Sequence, residues 1–205
     1  MKIGIMGGTF DPIHNGHLML GQAACEAFRL DQVWYMPNGN PPHKDIARCG
    51  TDAQDRAEMV RLAIAPYKEF RFEPYEIKRM EVSYSYRTME YFKELYPDHE
   101  YYFIIGADSL FMLDQWNHPE RIFPTCTVLA AYRDEINTRR AMEDKIRELT
   151  KTYRARIRLL VTPLMKISSH ELREAVKEGK SISQWVPEPV AAYIREKHLY
   201  IGEGQ

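Results

Sequence analysis

The sequence predicts an α/β protein in which helices cover both faces of a parallel sheet, followed by a small helical subdomain at the C-terminal end. Two observations predict this class. Short apolar segments typical of buried strands alternate with longer segments whose apolar residues recur at helical spacing. Several of the strand-like segments stop at glycine or proline and run into a polar loop. Strands alternating with helices indicate parallel βαβ units in a doubly wound sheet.

The elements follow one another without a repeat, a low-complexity tract or a linker. Predicted strands comprise residues 2–6, 32–36, 100–105, 127–131 and 157–161, with weaker candidates at 70–72 and 76–78. Predicted helices comprise residues 16–28, 52–64, 86–95, 110–113, 137–153, 169–178 and 187–197. We therefore expect one domain over residues 1–205, with its helical C-terminal part starting near residue 166.

Composition limits the partners that this chain can have. Its 205 residues carry a net charge of -1, so no overall basic field favours nucleic acid. No stretch approaches the ~20 apolar residues that span a bilayer, and the N-terminus lacks a signal-peptide pattern. Three separated cysteines, Cys25, Cys49 and Cys126, indicate a reduced cytoplasmic chain. We expect no nucleic-acid or membrane partner, and the sequence leaves a homo-oligomer open.

The segment GGTFDPIHNGH, residues 7–17, has the features of a polyphosphate site. Gly7 and Gly8 follow the first strand and let backbone N–H groups approach an anion. Thr9 and Phe10 continue this loop, and the next helix brings unpaired N–H donors. Histidines 14 and 17 lie three residues apart at the helix start, so both can donate to phosphate oxygens.

Three other interpretations of this segment remain open on the residues alone. Two glycines after a strand often form only a turn. Asp11, His14 and His17 could bind a metal. The histidines could also cap the helix. The segment is neither a Walker loop nor the GxGxxG fingerprint of dinucleotide sites.

Other polar residues follow predicted strands at the same edge of the sheet. Lys44 closes a proline-stiffened loop and could reach phosphates or be an exposed loop lysine, while Asn38 could be a turn residue. Asp108, after Gly106, could accept hydrogen bonds from ribose hydroxyls or act as a helix N-cap. Trp116 could stack on an aromatic ligand or lie in the core.

The last predicted strand also leads into a candidate phosphate-binding segment. Ser168 and Glu171 fit a capping box, which is a sufficient structural explanation for the serine. Arg173 lies about one turn into the helix and could clamp phosphates with two hydrogen bonds or be a solvated helix residue. In a doubly wound sheet, ligands bind beyond the carboxyl ends of the strands, where these segments meet.

Four segments together resemble one family in order along nearly the full chain. They are GGTFDPIHNGH (7–17), NPPHK (40–44), GADSLFMLDQW (106–116) and ISSHELR (167–173). This combination resembles the bacterial nicotinate-mononucleotide adenylyltransferases of the HxGH nucleotidyltransferase superfamily. The resemblance implies a Rossmann-like fold and, in NAD biosynthesis, transfer of the adenylyl group of ATP to nicotinate mononucleotide. Deamido-NAD and pyrophosphate would be the products, with Mg²⁺ accompanying ATP and no covalent intermediate.

The same resemblance assigns roles to individual residues and implies no metal ligands in the protein. Our own hypothesis is that His14, His17, Lys44 and Arg173, with Mg²⁺, supply the positive charge for catalysis. The implied ATP-binding residues are Gly7, Gly8, Thr9, Phe10, His14, His17, Gly106, Asp108, Ser168 and Arg173. The implied acceptor-binding residues are Asn38, Ser83, Ser85 and Trp116.

The chain departs from the family pattern at four positions. His170 and Leu172 replace the threonine and isoleucine of ISSTxIR, and Ser85 and Arg87 replace the threonine and aspartate of SYTxDT. These last two changes concern the pyridine end of the site rather than the ATP end. Alternatives are an adenylyltransferase for nicotinamide mononucleotide or phosphopantetheine, a non-catalytic nucleotide sensor, and a metal-dependent hydrolase.

Overall fold

Six strands and eight helices alternate along the part of the chain that the structure describes. This structure, a computed structural model, describes residues 1–40, 51–79, 81–133, 136–162 and 167–201. The strands are β1 (Lys2–Gly8), β2 (Gln32–Pro37), β3 (Phe70–Phe72), β4 (Glu100–Gly106), β5 (Thr127–Arg133) and β6 (Ile157–Thr162). The helices are α1 (Asn15–Phe28), α2 (Ala53–Ile64), α3 (Ser85–Leu95), α4 (Ala107–Met112), α5 (Pro119–Ile122), α6 (Ile136–Tyr153), α7 (Ser169–Lys177) and α8 (Glu188–Glu196).

All six strands are parallel and form one sheet in the order β3-β2-β1-β4-β5-β6. From β1 the chain builds outward through β2 to β3, and it then returns to add β4 on the other side of β1. The direction of winding therefore reverses between β1 and β4, which is where a doubly wound sheet opens a crevice. The predicted Rossmann-like α/β fold is confirmed.

Apolar side chains alternate between the two faces of the central strands. In β1, Ile3 and Ile5 belong to one buried cluster, whereas Met6 belongs to the cluster on the opposite face. Helices α1, α2, α7 and α8 add side chains to the Met6 cluster, and α3 to α6 add side chains to the other. This two-sided burial explains why the strands are nearly continuous apolar runs rather than alternating ones.

The two C-terminal helices pack on the sheet core itself. Leu172 of α7, together with Val190 and Ile194 of α8, lies in the same cluster as Met6, and each is at most 3% exposed. Pro187 and Pro189 start α8, where a missing backbone N–H costs no helical hydrogen bond. Packing of this kind holds the start of α7 close to the loop that follows β1.

The predicted elements lie close to the observed ones, with three differences. Residues 76–78 do not form a strand, because Lys78 N–H donates to Pro74 O at 3.1 Å and closes a turn. Helix α5 was not predicted, since its four residues are too few to show a helical period. Helix α4 begins earlier than predicted, directly after the glycine that ends β4.

Candidate active site

A cavity of about 310 Å³ opens at the carboxyl ends of β1 and β4, at the point where the winding reverses. It contains groups from both predicted halves of the site. The predicted site residues among its lining are Gly7, His17, Asn38, Ser83, Ser85, Gly106 and Trp116. The fold therefore brings together segments that lie far apart in the sequence.

Two glycines leave the floor of this cavity open. A Cβ atom placed on Gly7 or on Gly106 would meet no other atom within 4 Å. Backbone N–H and C=O groups of both strands are thus accessible to a ligand at van der Waals distance. Gly8 differs, because the ring of Phe10 lies against it and would be 3.1 Å from a Cβ at that position. Phe10 itself has a left-handed backbone with a φ of 51°.

The two histidines form a stacked pair at the start of α1. His14 is the N-cap of α1, and its ring lies 3.8 Å from that of His17, centroid to centroid. The backbone N–H of His14 donates to Nδ1 of His17 at 3.2 Å. Because Nδ1 accepts, the proton of a neutral His17 lies on Nε2, which is the nitrogen that can donate to a phosphate. The helix-cap and ligand interpretations of the histidines are therefore compatible.

His14 is a neutral imidazole at neutral pH. Its side chain is buried, and burial lowers its pKa from 6.5 to about 4. Nδ1 of His14 has no hydrogen-bond partner among the described residues. Gly16 gives the ring its space, since a Cβ there would lie 3.0 Å from it. His14 can thus offer an anion the hydrogen bond of a neutral ring, which is weaker than that of a charged one.

Arg173 reaches from α7 to the loop that follows β1. Its Nη1 donates to the backbone oxygen of Asp11 at 2.7 Å, and the same nitrogen lies 3.8 Å from Oδ2 of Asp11. Ser169 adds a second link between the helix and the loop by donating to Pro12 O at 2.9 Å. These bonds place the N-terminal turn of α7 beside the first turn of α1.

Ser168 is the N-cap of α7, as predicted. Its Oγ accepts from the backbone N–H of Glu171 at 3.2 Å and donates to a carboxylate oxygen of Glu171 at 2.7 Å. The N-terminal N–H groups of α7 and the hydroxyl of Ser168 therefore lie on the same side of the sheet as the histidine pair. A helix N-terminus in this position favours an anion.

The other end of the cavity is built from aromatic and hydroxyl groups. Trp116 is half-buried, and its ring packs edge-on against Phe103 at a centroid distance of 6.1 Å. Ser85 is the first residue of α3 and lines the cavity, so the start of that helix lies at this end. Asn38 has a side-chain oxygen that is buried and lacks a hydrogen-bond partner among the described residues.

Glu76 is a buried carboxyl in this wall that the sequence did not reveal. It lines the cavity, and its Oε1 accepts from Thr88 Oγ1 at 2.7 Å. Burial raises the pKa of Glu76, and hydrogen bonds from Thr88 and Ser83 oppose that increase. A Cβ at Gly39 would collide with the backbone oxygen of Glu76. Glu76 therefore ties the residue 38–39 loop to the segment that carries Ser83 and Ser85.

Arg56 is a second buried, charged residue whose role the sequence did not reveal. It is 2% exposed, and its Nη1 donates to Thr9 O at 2.7 Å, which fixes the loop between β1 and α1. Its Nε is buried without a partner within the described ranges. No signal in the sequence indicated this role, because Arg56 lies among the polar residues Gln54, Asp55 and Glu58 of α2.

The structure corrects the N-cap interpretation of Asp108 and places Arg87 outside the cavity. Asp108 is not an N-cap: Gly106 caps α4, and Asp108 lies exposed in its first turn. Arg87 does not line the cavity, because its Nε donates to Tyr86 Oη at 3.0 Å and its Nη1 lies 3.3 Å from Glu81. Lys44 lies outside the described residues.

Among the described residues, no three histidine, cysteine, aspartate or glutamate side chains are grouped so that they could hold a metal ion. The carboxylate of Asp11 accepts hydrogen bonds from two hydroxyl groups. Within the same described ranges, no helix combines the length and the apolar character that crossing a membrane requires.

Comparisons with known proteins agree with this arrangement. A family model described as cytidylyltransferase-like matches residues 5–175. A protein of Lachnoclostridium phytofermentans named probable nicotinate-nucleotide adenylyltransferase is 40% identical over 98% of this chain and 99% of its own. A Clostridium botulinum protein of the same name is 39% identical over 96% of this chain and 97% of its own.

A solved structure shares the fold at low sequence identity. It is a Plasmodium falciparum nicotinic acid mononucleotide adenylyltransferase complexed with NaAD, with a TM-score of 0.80 and 20% identity over 97% of both chains. By its full-length relatives and its family match, this chain belongs to the nicotinate-nucleotide adenylyltransferases, within the cytidylyltransferase-like family.

Proposed function

We propose that this protein transfers the adenylyl group of ATP to nicotinate mononucleotide, forming deamido-NAD and pyrophosphate in NAD biosynthesis. One observation supports this most strongly. A single cavity joins anion-binding groups around Gly7 and His17 to an aromatic and hydroxyl wall around Ser85 and Trp116. The names of relatives that match over nearly their full length support the same reaction.

The ATP half of the site would surround the triphosphate with donors. Backbone N–H groups of the residue 7–10 loop, the two histidines, and the start of α7 with Ser168 and Arg173 form this half. Gly106 and Asp108 would contact the adenosine part. Asp108 suits ribose hydroxyls, since its exposed carboxylate can accept two hydrogen bonds.

The acceptor half would bind the pyridine ring and its ribose. Trp116 supplies a flat surface for stacking, and the start of α3 with Ser85 supplies donors for the ring carboxylate. The buried oxygen of Asn38, which has no partner among the described residues, would accept from a ribose hydroxyl. Because Arg87 is held by Tyr86 and Glu81 outside the cavity, the departure at that position need not alter the pocket.

The reaction needs no general base in this site. The second pKa of a phosphate ester is about 6, so the acceptor phosphate is already largely dianionic at neutral pH. It would attack the α-phosphorus of ATP in line, and the bond to the β,γ-pyrophosphate would break with the electron pair leaving on pyrophosphate. The protein would contribute alignment and charge stabilisation through His14, His17, Lys44 and Arg173.

We also propose that Mg²⁺ enters as the ATP complex, held by phosphate oxygens, which are the hard ligands that this cation prefers.

Free thiols at Cys25 and Cys126 support a cytoplasmic location. The shared cluster that joins α7 and α8 to the sheet supports one domain over the chain.

Pyrophosphate release with MgATP would test the proposal against three acceptors in parallel. They are nicotinate mononucleotide, nicotinamide mononucleotide and phosphopantetheine. We expect a strong preference for the first acceptor and formation of deamido-NAD. Preference for the amide would keep the chemistry but overturn the assigned acceptor. Tight ATP binding without transfer to any acceptor would support the nucleotide-sensor alternative instead.

A further inference from the structure

Asp11 connects parts of the protein that are far apart in the sequence. It lies in the loop between β1 and α1 and is 3% exposed. Its Oδ1 accepts from Thr51 Oγ1 at 2.6 Å and from Tyr200 Oη at 2.7 Å. Its backbone oxygen accepts from Arg173. The loop, the segment before α2, the helix α7 and the C-terminal segment therefore meet at one buried carboxylate.

The contacts of Asp11 influence how closely its carboxylate pairs with the guanidinium of Arg173. The guanidinium makes a short bond to the Asp11 backbone oxygen and stays 3.8 Å from the carboxylate. The two hydroxyl donors lie on the other carboxylate oxygen and satisfy part of its charge. Without one of them, the buried carboxylate would gain more from a closer ion pair, because a buried charge is costly unless it is hydrogen-bonded.

Tyr200 is well placed to hold this arrangement. It is 6% exposed and adopts a left-handed backbone with a φ of 63°, which is uncommon for a residue with a bulky side chain. Burial and the neighbouring carboxylate raise the pKa of Tyr200 well above its usual range, so its hydroxyl remains a donor at neutral pH. Arg173 and Tyr200 also line one groove of about 570 Å³.

We propose that Tyr200 is a positioning residue for the ATP half of the site. By donating to Asp11, it keeps the carboxylate from drawing Arg173 into a tight ion pair and thus leaves the guanidinium available to the triphosphate. This inference deepens the proposed function and rests on its assignment of Arg173 to ATP. It gives the C-terminal segment around Tyr200 a role in substrate affinity rather than in packing alone.

Tyr200→Phe tests the proposal because it removes only the donating hydroxyl. Loss of a buried hydrogen bond corresponds to roughly a five- to tenfold effect, so we expect the KM for ATP to rise by about that factor. The KM for nicotinate mononucleotide should stay within about twofold, since Thr51, Tyr200 and Arg173, which contact Asp11, do not belong to the acceptor half. Equilibrium titration with ATP alone, without acceptor, should show the same loss of affinity.

Tyr193→Phe is the matched control. Tyr193 also lies in the C-terminal region and donates to an aspartate at 2.8 Å, but that residue, Asp55, belongs to the first turn of α2 rather than to the loop that carries Asp11. Removal of the Tyr193 hydroxyl should leave ATP affinity unchanged. Thr51→Val removes the second donor to the same Asp11 oxygen and should weaken ATP binding as Tyr200→Phe does, which keeps the test available if one variant folds poorly.

The positioning role and the proposed function fail in different ways. If Tyr200→Phe and Thr51→Val bind ATP as tightly as Tyr193→Phe, the positioning role is wrong, even if wild-type enzyme makes deamido-NAD. An equal rise in the KM of both substrates would also overturn it, because that pattern indicates a general structural effect. A wild-type protein that binds ATP but transfers nothing would instead overturn the proposed function.

Discussion

His17 illustrates how one backbone bond decides what a side chain can do. Its Nδ1 accepts from the backbone N–H of His14, which leaves Nε2 as the donor. The stacked His14 ring and the edge of Phe10, at centroid distances of 3.8 and 5.0 Å, hold its orientation. Such a fixed donor suits a site in which catalysis depends on placing charge stabilisation before the reaction begins.

His17→Ala should reduce turnover much more than it changes substrate affinity. Removal of one preorganised donor costs roughly 100-fold or more in turnover, whereas we expect the KM values to rise only a few-fold. Steady-state kinetics with MgATP and nicotinate mononucleotide would measure both quantities. His99→Ala is a suitable control, because His99 lies just before β4, at the amino ends of the strands. An unchanged turnover number in His17→Ala would contradict the assigned role.

The buried ring of His14 should make the protein less stable in acid. Its pKa is about 4 in the folded protein and 6.5 without burial. Between these values the unfolded chain binds a proton that the folded chain does not, so stability falls as the pH decreases from about 6.5 to about 4. The full effect is on the order of 3 kcal/mol.

Urea unfolding of wild type and His14→Gln at pH 7 and at pH 4 would isolate this contribution. The unfolding free energy of His14→Gln relative to wild type should be higher at pH 4 than at pH 7, because glutamine does not titrate. Other titrating groups are common to both proteins and cancel in this comparison. A difference that does not change between the two pH values would show that His14 is not buried as a neutral ring.

Among the secondary-structure elements, strand ends and helix starts explain most of the site. Glycine ends both β1 and β4, and a helix follows each strand within a few residues. The sequence predicted these junctions because glycine after an apolar run is a local signal. Of its two interpretations of Asp108, the helix N-cap is wrong, since the residue that caps α4 depends on where the strand ends.

The N-terminus of α7 has both a structural and a proposed binding role, and two variants of Ser168 separate them. Ser168→Ala should lower the unfolding free energy by about 1 kcal/mol because it removes the cap. Ser168→Asn retains a capping side chain, so its stability should remain near that of wild type. If the hydroxyl contacts the triphosphate, both variants should raise the KM for ATP several-fold. Normal ATP affinity in Ser168→Asn would limit Ser168 to the capping role.

Across the molecule as a whole, the reversal between β1 and β4 joins the pieces. The sequence was sufficient to predict that several strand ends share one edge, because parallel strands all point the same way. It was not sufficient for contacts between elements that have no local pattern. The bond from Tyr200 to Asp11 spans 189 residues, and the bond from Arg56 to Thr9 joins a helix to a loop 47 residues earlier.

Glu76 shows the same limit from another direction. The residues around it resemble a strand, but a turn at Pro74 and the bond to Thr88 place its carboxyl inside the acceptor wall. Only tertiary packing decides whether such a side chain is exposed or buried. Local sequence therefore indicates where the ligand binds, and long-range contacts determine how its binding groups are held.

The binding and catalytic roles proposed above all assume adenylyl transfer to nicotinate mononucleotide. Deamido-NAD and pyrophosphate should therefore be measured together, in the presence of MgATP and nicotinate mononucleotide, with wild type and His17→Ala. We expect wild type to form both products in equal amounts and the variant to form both equally slowly. Pyrophosphate without deamido-NAD, or equal rates in the two proteins, would show that the cavity does not work in this way.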